Sequence, residues 1–198
     1  AQRGRGKELI YVQGETIQAD LVDSFPASRQ RKQAMLVCGP SQTVPLAACT
    51  LDGVFTDPPY FDNVQYAELI DFCYVWLRQA KISPTFAPAS TRSSSELTGN
   101  ISQGRGQHHF TGGLQQVFRH FTQALKPGAP FVFTYHHNEA EAYLPLVVAI
   151  LGAGLTCTAT LPAAAEMSAS LHIAGTGSSV LDSVFVCRAW RPSSSSPT

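Results

Sequence analysis

The residues best suited to chemistry form one short run, Thr56-Asp57-Pro58-Pro59-Tyr60. The Asp57 carboxylate and the Pro58 carbonyl are hydrogen-bond acceptors, and together they can accept both hydrogens of an exocyclic amino group on a nucleobase. That amine is a poor nucleophile because its lone pair is delocalised into the ring. Two acceptors favour a pyramidal nitrogen with a localised lone pair. The consecutive prolines restrict the backbone to an extended turn, so we expect both acceptors to be fixed before any reaction begins.

The residues that follow this run could hold a base. Tyr60 offers a flat face on which an extruded base can stack, worth about 1–3 kcal/mol, and Phe61 can add an apolar wall. Extruding a base from a duplex costs about a few kcal/mol, so a stacking surface is chemically expected. We predict that Tyr60, Phe61, Asn63 and His136 contact the substrate. No metal is expected, because the adjacent His136 and His137 would point to opposite faces of a strand.

Two other interpretations of the run stay open. It could be a surface turn after a strand, or Pro58-Pro59-Tyr60 could be a proline-rich ligand for a domain with an aromatic groove. The neighbours of the run favour an enzyme, because an apolar stretch precedes it and an amphipathic helix pattern follows it. His136 also has a structural alternative, as a strand-end histidine that hydrogen-bonds to nearby backbone.

Apolar periodicity predicts the elements that would position these residues. Compact or alternating apolar runs indicate strands over residues 9–12, 34–38, 54–56, 131–135, 155–161 and 184–187. Helical spacing marks three helices, the first through Leu69, Ile70, Cys73, Trp76 and Leu77, the second through Leu114, Val117, Phe118, Phe121 and Leu125, and the third through Leu144, Val147, Val148 and Leu151. Trp76, Phe118 and Phe121 are expected in the core.

The alternation of strands and helices predicts an open, largely parallel α/β sheet. Ligands of such sheets gather at the carboxyl ends of the strands, where Asp57 and His136 are both expected. Cys38 and Gly39 end the preceding strand, and with Asp57 they are candidate cofactor contacts, although turn chemistry explains Gly39-Pro40 equally well. We divide the chain into a weakly structured segment (1–33), a catalytic-motif region (34–190) and a disordered tail (191–198).

Composition narrows the class of protein. The 198 residues are 44% hydrophobic, and 14 basic residues balance 14 acidic ones, so net charge gives no sign of a polyanion partner. The five cysteines form no C-x-x-C pair, which is typical of reduced, buried thiols in a cytoplasmic protein without a zinc site. No apolar stretch reaches the roughly 18 residues of a membrane span.

Residues 82–113 carry few large apolar groups and much Ser, Gly, Pro and Gln. A loop of this length inside a compact domain is usually functional or disordered. We expect the His108-His109 pair of this loop to be solvated. Arg92 and Arg105 could touch phosphates, or they could simply be exposed.

Several ordered blocks resemble a known family. They are residues 55–69 and 71–78, then Leu125-Lys126-Pro127-Gly128, then residues 132–137 (VFTYHH), 170–173 (SLHI) and 184–188 (VFVCR). Residues 34–190 thereby resemble the large bacterial and archaeal adenine-specific DNA methylases that contain a zinc ribbon. The resemblance implies a class I, Rossmann-like methyltransferase fold with a mostly parallel sheet and helices on both faces. It also implies S-adenosylmethionine as cofactor, adenine in DNA as substrate, and Asp57, Pro58, Pro59 and Tyr60 as the positions that match the catalytic motif.

The chain departs from that family in two respects. The glycine-rich cofactor loop of the Asp-Pro-Phe-x-Gly-x-Gly type and the zinc ribbon are both missing from this sequence. Gly4-Arg5-Gly6 and Gly104-Arg105-Gly106 lack the preceding apolar strand that such a loop needs. The chain therefore resembles the later portion of the fold, and an upstream segment or a partner chain is expected to supply the cofactor loop.

Two hypotheses of function follow. The first is an S-adenosylmethionine-dependent methyltransferase that acts on the exocyclic amino group of a DNA base, with adenine N6 as the acceptor. The second is a truncated, non-catalytic methyltransferase-fold module that binds nucleic acid or a protein partner. Adenine against cytosine stays open on the residues alone, because both amines suit the same pair of acceptors.

Overall fold

The computed structural model describes residues 2–3, 9–10, 14, 18–24, 32–61, 65–100, 104–137, 139–164 and 181–190. The chain divides into two compact units, Ala1–Gly39 and Pro40–Thr198. The first unit contains β1 (Gln2–Arg3), β2 (Leu9–Ile10), β3 (Asp20–Leu21) and β4 (Gln33–Ala34). Strands β1 and β2 pair antiparallel, and β3 and β4 pair parallel. The predicted buried strand over residues 34–38 is wrong beyond Ala34, because Leu36 and Val37 lie outside any strand and are exposed.

The second unit is a mixed α/β structure around a four-stranded sheet. Its elements are β5 (Val54–Thr56), α1 (Tyr66–Gln79), α2 (Gln107–Ala124), β6 (Phe131–Tyr135), α3 (Leu144–Gly152), β7 (Leu155–Ala164) and β8 (Leu181–Ala189). The strand order is β5-β6-β8-β7, with β5 parallel to β6 and β8 antiparallel to both of its neighbours. Three of the four strands therefore run in one direction, as a largely parallel sheet requires. A strand was predicted over residues 184–187, within β8, but its antiparallel direction and its place between β6 and β7 were not predicted.

The core lies between one face of this sheet and the helices α2 and α3. Strand β6 alternates, so that Phe131, Phe133 and Tyr135 are buried while the residues between them face the other side. The Phe118 ring of α2 packs on Phe131 and Phe133, with ring centroids 4.9 and 5.2 Å apart. Leu146 of α3 belongs to the same buried cluster. This packing fixes the position of β6, the central strand of the candidate site.

The opposite face of the sheet is open within the described residues. Phe55 of β5 is 77% exposed, and Leu161 of β7 is exposed as well. Helices on both faces are therefore not found in the described part of the chain. Since α2 and α3 share the core with Phe131 and Phe133, both lie on the same side of the sheet.

Two helices present a different side from the one predicted. In α1 the predicted apolar side, which includes Trp76, is exposed, and the buried residue is Tyr74. The Tyr74 hydroxyl donates to the Pro88 carbonyl over 3.1 Å. In α3 the four residues that marked the helix are exposed, and the buried ones are Pro145, Leu146, Ala149 and Ile150. Helix α3 is apolar all round, so periodicity cannot choose its buried side.

The long polar segment after α1 is fastened to that helix. The Asp71 carboxylate accepts hydrogen bonds from the Ser90 hydroxyl at 2.6 Å and from the Thr91 amide and hydroxyl at 2.7 Å. These bonds lower the pKa of Asp71. Glu96 accepts from the Ala67 amide near the start of α1 at 3.0 Å, which satisfies one otherwise unpaired N–H of the first turn. The described part of this segment is therefore held by specific hydrogen bonds.

Helix α2 begins earlier than predicted, at Gln107 instead of near Leu114. The His108-His109 pair consequently lies in the first turn of the helix, and His109 is half-buried. Phe118 is fully buried and Phe121 packs against the core, as predicted. No helix among the described residues is long and apolar enough to cross a membrane.

The cysteines also differ from expectation. All five are free thiols, but only Cys187 is buried, and Cys38, Cys49, Cys73 and Cys157 are exposed. The prediction of buried thiols is therefore wrong for four of them. These four cysteines have apolar neighbours in the sequence, but their own side chains are exposed in the structure.

The core arrangement predicts unequal effects of two identical substitutions. Phe118→Ala should lower the free energy of unfolding by about 3–5 kcal/mol, because it removes a ring that is fully buried against Phe131 and Phe133. Phe72→Ala on α1, where the ring is 75% exposed, should change it by no more than about 0.5 kcal/mol. Urea unfolding followed by circular dichroism measures both. Equal losses would contradict the burial assigned to the two rings.

Candidate active site

The candidate site begins where β5 and β6 end side by side. Thr56 pairs with Phe133 in the parallel ladder. The residues that follow them, Asp57 and Thr134, are therefore neighbours. The Thr134 hydroxyl donates a hydrogen bond to Oδ1 of Asp57. Asp57 is exposed, and Pro58 directly after it is buried. The structure thus places the Asp57 carboxylate at the carboxyl end of its strand, as predicted, and adds a partner that the sequence did not indicate.

Tyr60 closes the turn over this end of the sheet. Its ring packs edge-on against Tyr135, with centroids 5.1 Å apart and an interplanar angle of 69°. Its hydroxyl lies 3.5 Å from Oδ1 of Asp57, at the outer limit of a hydrogen bond. Burial, followed by the negative charges of Asp57 and Asp182, raises the pKa of Tyr60 above its ordinary value. The phenol therefore stays protonated at neutral pH and acts as a donor.

His136 lies at the carboxyl end of β6, where it was predicted, and faces an acidic residue. Tyr135 pairs with Ser183 of the antiparallel strand β8, which brings the next pair, His136 and Asp182, together. Nδ1 of His136 lies 3.8 Å from Oδ1 of Asp182, close enough for an ion pair when the imidazole is protonated. Asp182 also raises the pKa of Tyr60, so it belongs to the same electrostatic environment as Asp57.

Sequence reasoning missed Thr134 and Asp182. Period-two alternation puts Thr134 on the same face of β6 as His136, which is a weak signal. Nothing in the sequence says that Asp57 is the neighbour on that face, because this depends on the register of β5 against β6. Asp182 lies far along the chain, and it reaches the site only because β8 inserts beside β6 in the antiparallel direction.

Phe61 is held to the core behind the turn. Its ring packs against Phe110 of α2 with centroids 5.3 Å apart. The neighbouring Tyr135 hydroxyl donates to the Ala142 carbonyl at 3.2 Å. The end of the Asp57–Tyr60 run is therefore anchored to the core by a ring contact. This anchoring limits how far Tyr60 can move.

Three other predicted site residues are not brought to this place by the described structure. Asn63 lies outside the described residues. Cys38 and Gly39 belong to the N-terminal unit, which is a separate compact body, so their contact with a cofactor stays a prediction. Within the described residues, no group of three or more His, Cys, Asp or Glu side chains could hold a metal ion.

Two cavities of the second unit lie where the segment between α1 and α2 meets the start of α2. One, of about 430 Å³, is lined by Arg92, Ser93, Ser94, Gly104, Arg105 and His109, and the other, of about 310 Å³, shares His109. Arg105 is buried and paired with Glu96 at 3.0 Å, and Arg92 pairs with Glu68 at 3.3 Å. Both arginines therefore have acidic partners, and the expectation that Arg105 is exposed is wrong. Neither cavity is lined by Asp57 or Tyr60.

The described residues around Asp57 suit a base that carries an amino group better than they suit S-adenosylmethionine. They offer a carboxylate, two hydroxyl groups and aromatic rings, which suit a flat base with an amino group. A nucleoside cofactor needs an enclosing cavity with polar groups that fix its orientation. Neither of the two cavities lined by His109 adjoins Asp57.

No family model and no curated protein matches the sequence. Among solved structures, a candidate DNA modification methylase from Thermus thermophilus is similar, with a TM-score of 0.40 and 13% identity. The match covers 79% of this chain and 54% of that one, so the chain spans about half of its length. Similarity of this extent transfers neither fold nor activity to the chain.

The contact between Tyr60 and Asp57 predicts a linked titration. Asp57→Asn removes one of the negative charges that disfavour the phenolate, so the pKa of Tyr60 should fall toward its ordinary value. Burial is the larger cause and is unaffected, so the pKa should remain above that value. Absorbance at about 295 nm against pH measures the change, and Tyr60→Phe identifies which part of the signal belongs to Tyr60. An unchanged Tyr60 titration in Asp57→Asn would show that the two side chains do not interact in solution.

Proposed function

We propose that this chain carries the acceptor half of a methyltransferase active site, which methylates the exocyclic amino group of a DNA base. The N6 amine of adenine is the proposed acceptor, and S-adenosylmethionine is the proposed donor. The observation that supports the proposal best is the exposed Asp57 carboxylate at the carboxyl end of β5. It is followed directly by two prolines and by a half-buried tyrosine.

In the proposed reaction, Asp57 and the Pro58 carbonyl orient the amine. Each accepts one N–H hydrogen bond, which localises the nitrogen lone pair away from the ring and makes it nucleophilic. The nitrogen becomes more positive as it reacts, and the nearby carboxylates of Asp57 and Asp182 favour that charge. In the transfer, the nitrogen–methyl bond would form as the sulfur–methyl bond of the donor breaks, the neutral thioether would leave, and the extra proton on the nitrogen would be lost to solvent. A methyl group bonded to a sulfonium needs no further activation, so the protein has only to position and desolvate the amine.

The proposed base-binding residues are Tyr60, Phe61, Asn63 and His136. The edge-on packing of Tyr60 against Tyr135 supports a stacking role, because it holds the ring rigid before a base arrives. His136 stands on the same edge of the sheet and could read a polar edge of the base. Cys38 and Gly39 remain proposed cofactor contacts, and an upstream segment or a partner chain is the proposed source of the glycine-rich loop.

Methyl transfer to DNA tests the proposal directly. The protein, joined to the upstream segment or combined with the partner chain that supplies the cofactor loop, would be incubated with methyl-tritiated S-adenosylmethionine and unmethylated DNA. The modified base would be identified by mass spectrometry after digestion. Asp57→Ala should lower kcat by roughly 10²- to 10³-fold or more, the range for removal of one preorganised hydrogen-bonding group. Asp52→Ala is the matched control, since Asp52 is an exposed residue whose ion pair with Lys126 contributes only about 0–1 kcal/mol.

The outcomes separate the hypotheses. Transfer by the wild type that is lost in Asp57→Ala and kept in Asp52→Ala supports the proposed site. Retained transfer in Asp57→Ala would show that Asp57 does not orient the amine. A wild type that binds DNA but transfers no methyl group would favour the non-catalytic module, and calorimetric titration with S-adenosylmethionine would then show whether the cofactor binds at all.

A further inference from the structure

We propose that Thr134 is a positioning residue for the reaction, which acts by fixing the orientation of the Asp57 carboxylate. This inference rests on the proposed function, and it adds a residue from a different strand to the Asp57–Tyr60 run. The observation behind it is the hydrogen bond from the Thr134 hydroxyl to Oδ1 of Asp57. Both residues lie at the carboxyl ends of paired strands.

An exposed carboxylate needs such a partner to act as an oriented acceptor. Asp57 is exposed, so without a partner its side chain would exchange between rotamers and lose the geometry that two amine hydrogens require. Thr134 suits the task because a β-branched side chain on a strand has restricted rotation about its first torsion. The backbone position of Thr134 is also fixed, because the residues before and after it, Phe133 and Tyr135, are fully buried.

The two donors near Asp57 approach the same oxygen. The Thr134 hydroxyl donates to Oδ1, and the Tyr60 hydroxyl lies 3.5 Å from that atom. In the described part of the chain, no hydrogen bond reaches Oδ2 of Asp57. Because a carboxylate is rigid and planar, fixing Oδ1 also fixes Oδ2, which is left to accept the amine hydrogen. Oδ1 of Asp57 therefore holds the side chain in place, and Oδ2 binds the amine.

Thr134 is the stronger of the two donors. A hydrogen bond from a hydroxyl to a carboxylate is charge-assisted and normally short, whereas 3.5 Å is at the limit of the interaction. The Tyr60 hydroxyl can therefore support the orientation but cannot hold it alone. This ranking predicts that loss of the Thr134 hydroxyl misplaces Oδ2 even when Tyr60 is intact.

The test compares three threonine substitutions in the full chain, combined with the segment or partner that supplies the cofactor loop. Thr134→Val keeps the shape of the side chain but removes its donor, whereas Thr134→Ser keeps the donor. Thr156→Val makes the same change on β7, at an exposed position away from Asp57. Valine suits strands as well as threonine does, and serine lacks only one methyl group of threonine, so all three variants should fold. Methyl transfer would be measured with DNA and S-adenosylmethionine each varied in turn.

Thr134→Val should lower kcat by about 10- to 100-fold, since a displacement of about 1 Å in a reacting group can cost 10²-fold. The KM values for both substrates should change by less than about threefold, because the proposed role is orientation in the transition state and not ground-state binding. Thr134→Ser should recover most of kcat, and Thr156→Val should match the wild type. A merely structural role for Thr134 would alter stability and both KM values together and would not be rescued by serine.

Failure of this inference is distinguishable from failure of the proposed function. Wild-type transfer with an unchanged kcat in Thr134→Val would overturn the positioning role and leave the proposed function intact. A reduced kcat in Thr134→Val that serine does not restore would also overturn it, because the donor would then not be the cause. No transfer by the wild type when the cofactor loop is supplied would overturn the proposed function, and the positioning role with it.

Discussion

The parallel pairing of β5 with β6 is the constraint on which the candidate site depends. Strand β5 has only three residues, and its ladder to β6 decides which side chain stands beside Asp57. A slip of one residue would turn Asp57 toward the other face and separate it from Thr134. The register is supported by the core, because Val54 of β5 and its partner Phe131 of β6 are buried in the same hydrophobic cluster. A hydrophobic contact on one face of the sheet therefore fixes a polar contact on the other.

The strand β8 gives the site its electrostatic character. It runs antiparallel between β6 and β7, so its beginning lies at the edge of the sheet where β5 and β6 end. Asp182 reaches His136 from there, and its charge adds to that of Asp57 in keeping the Tyr60 phenol protonated. An edge with two carboxylates and neutral hydroxyl groups suits a neutral amine that becomes positive as it reacts. It would disfavour an anionic group at the same place.

Anchoring differs between the two ends of the candidate motif. Asp57 is exposed, whereas Pro58 is buried and Phe61 packs on Phe110, so the run is fastened to the core from behind while its carboxylate faces outward. The segment after α1 is fastened separately through Asp71 and Glu96. Fixed backbone and an outward acceptor are what preorganisation requires, since little ordering is left to be done when a substrate arrives.

The sequence by itself determined the local elements and the chemistry of the motif. Strands β5 and β6, the helices α1 to α3, and the place of Asp57 and His136 at strand ends follow from apolar periodicity and from the prolines after Asp57, which are local properties of the chain. Tertiary structure alone decided the buried sides of α1 and α3, the insertion of β8, and the neighbours Thr134 and Asp182. The physical reason is that a pattern can show that a helix has an apolar side, or that a strand alternates, without showing what lies against it. Register and strand order are set by packing between segments that are distant in the chain, as the bond between Thr134 and Asp57, 77 residues apart, illustrates.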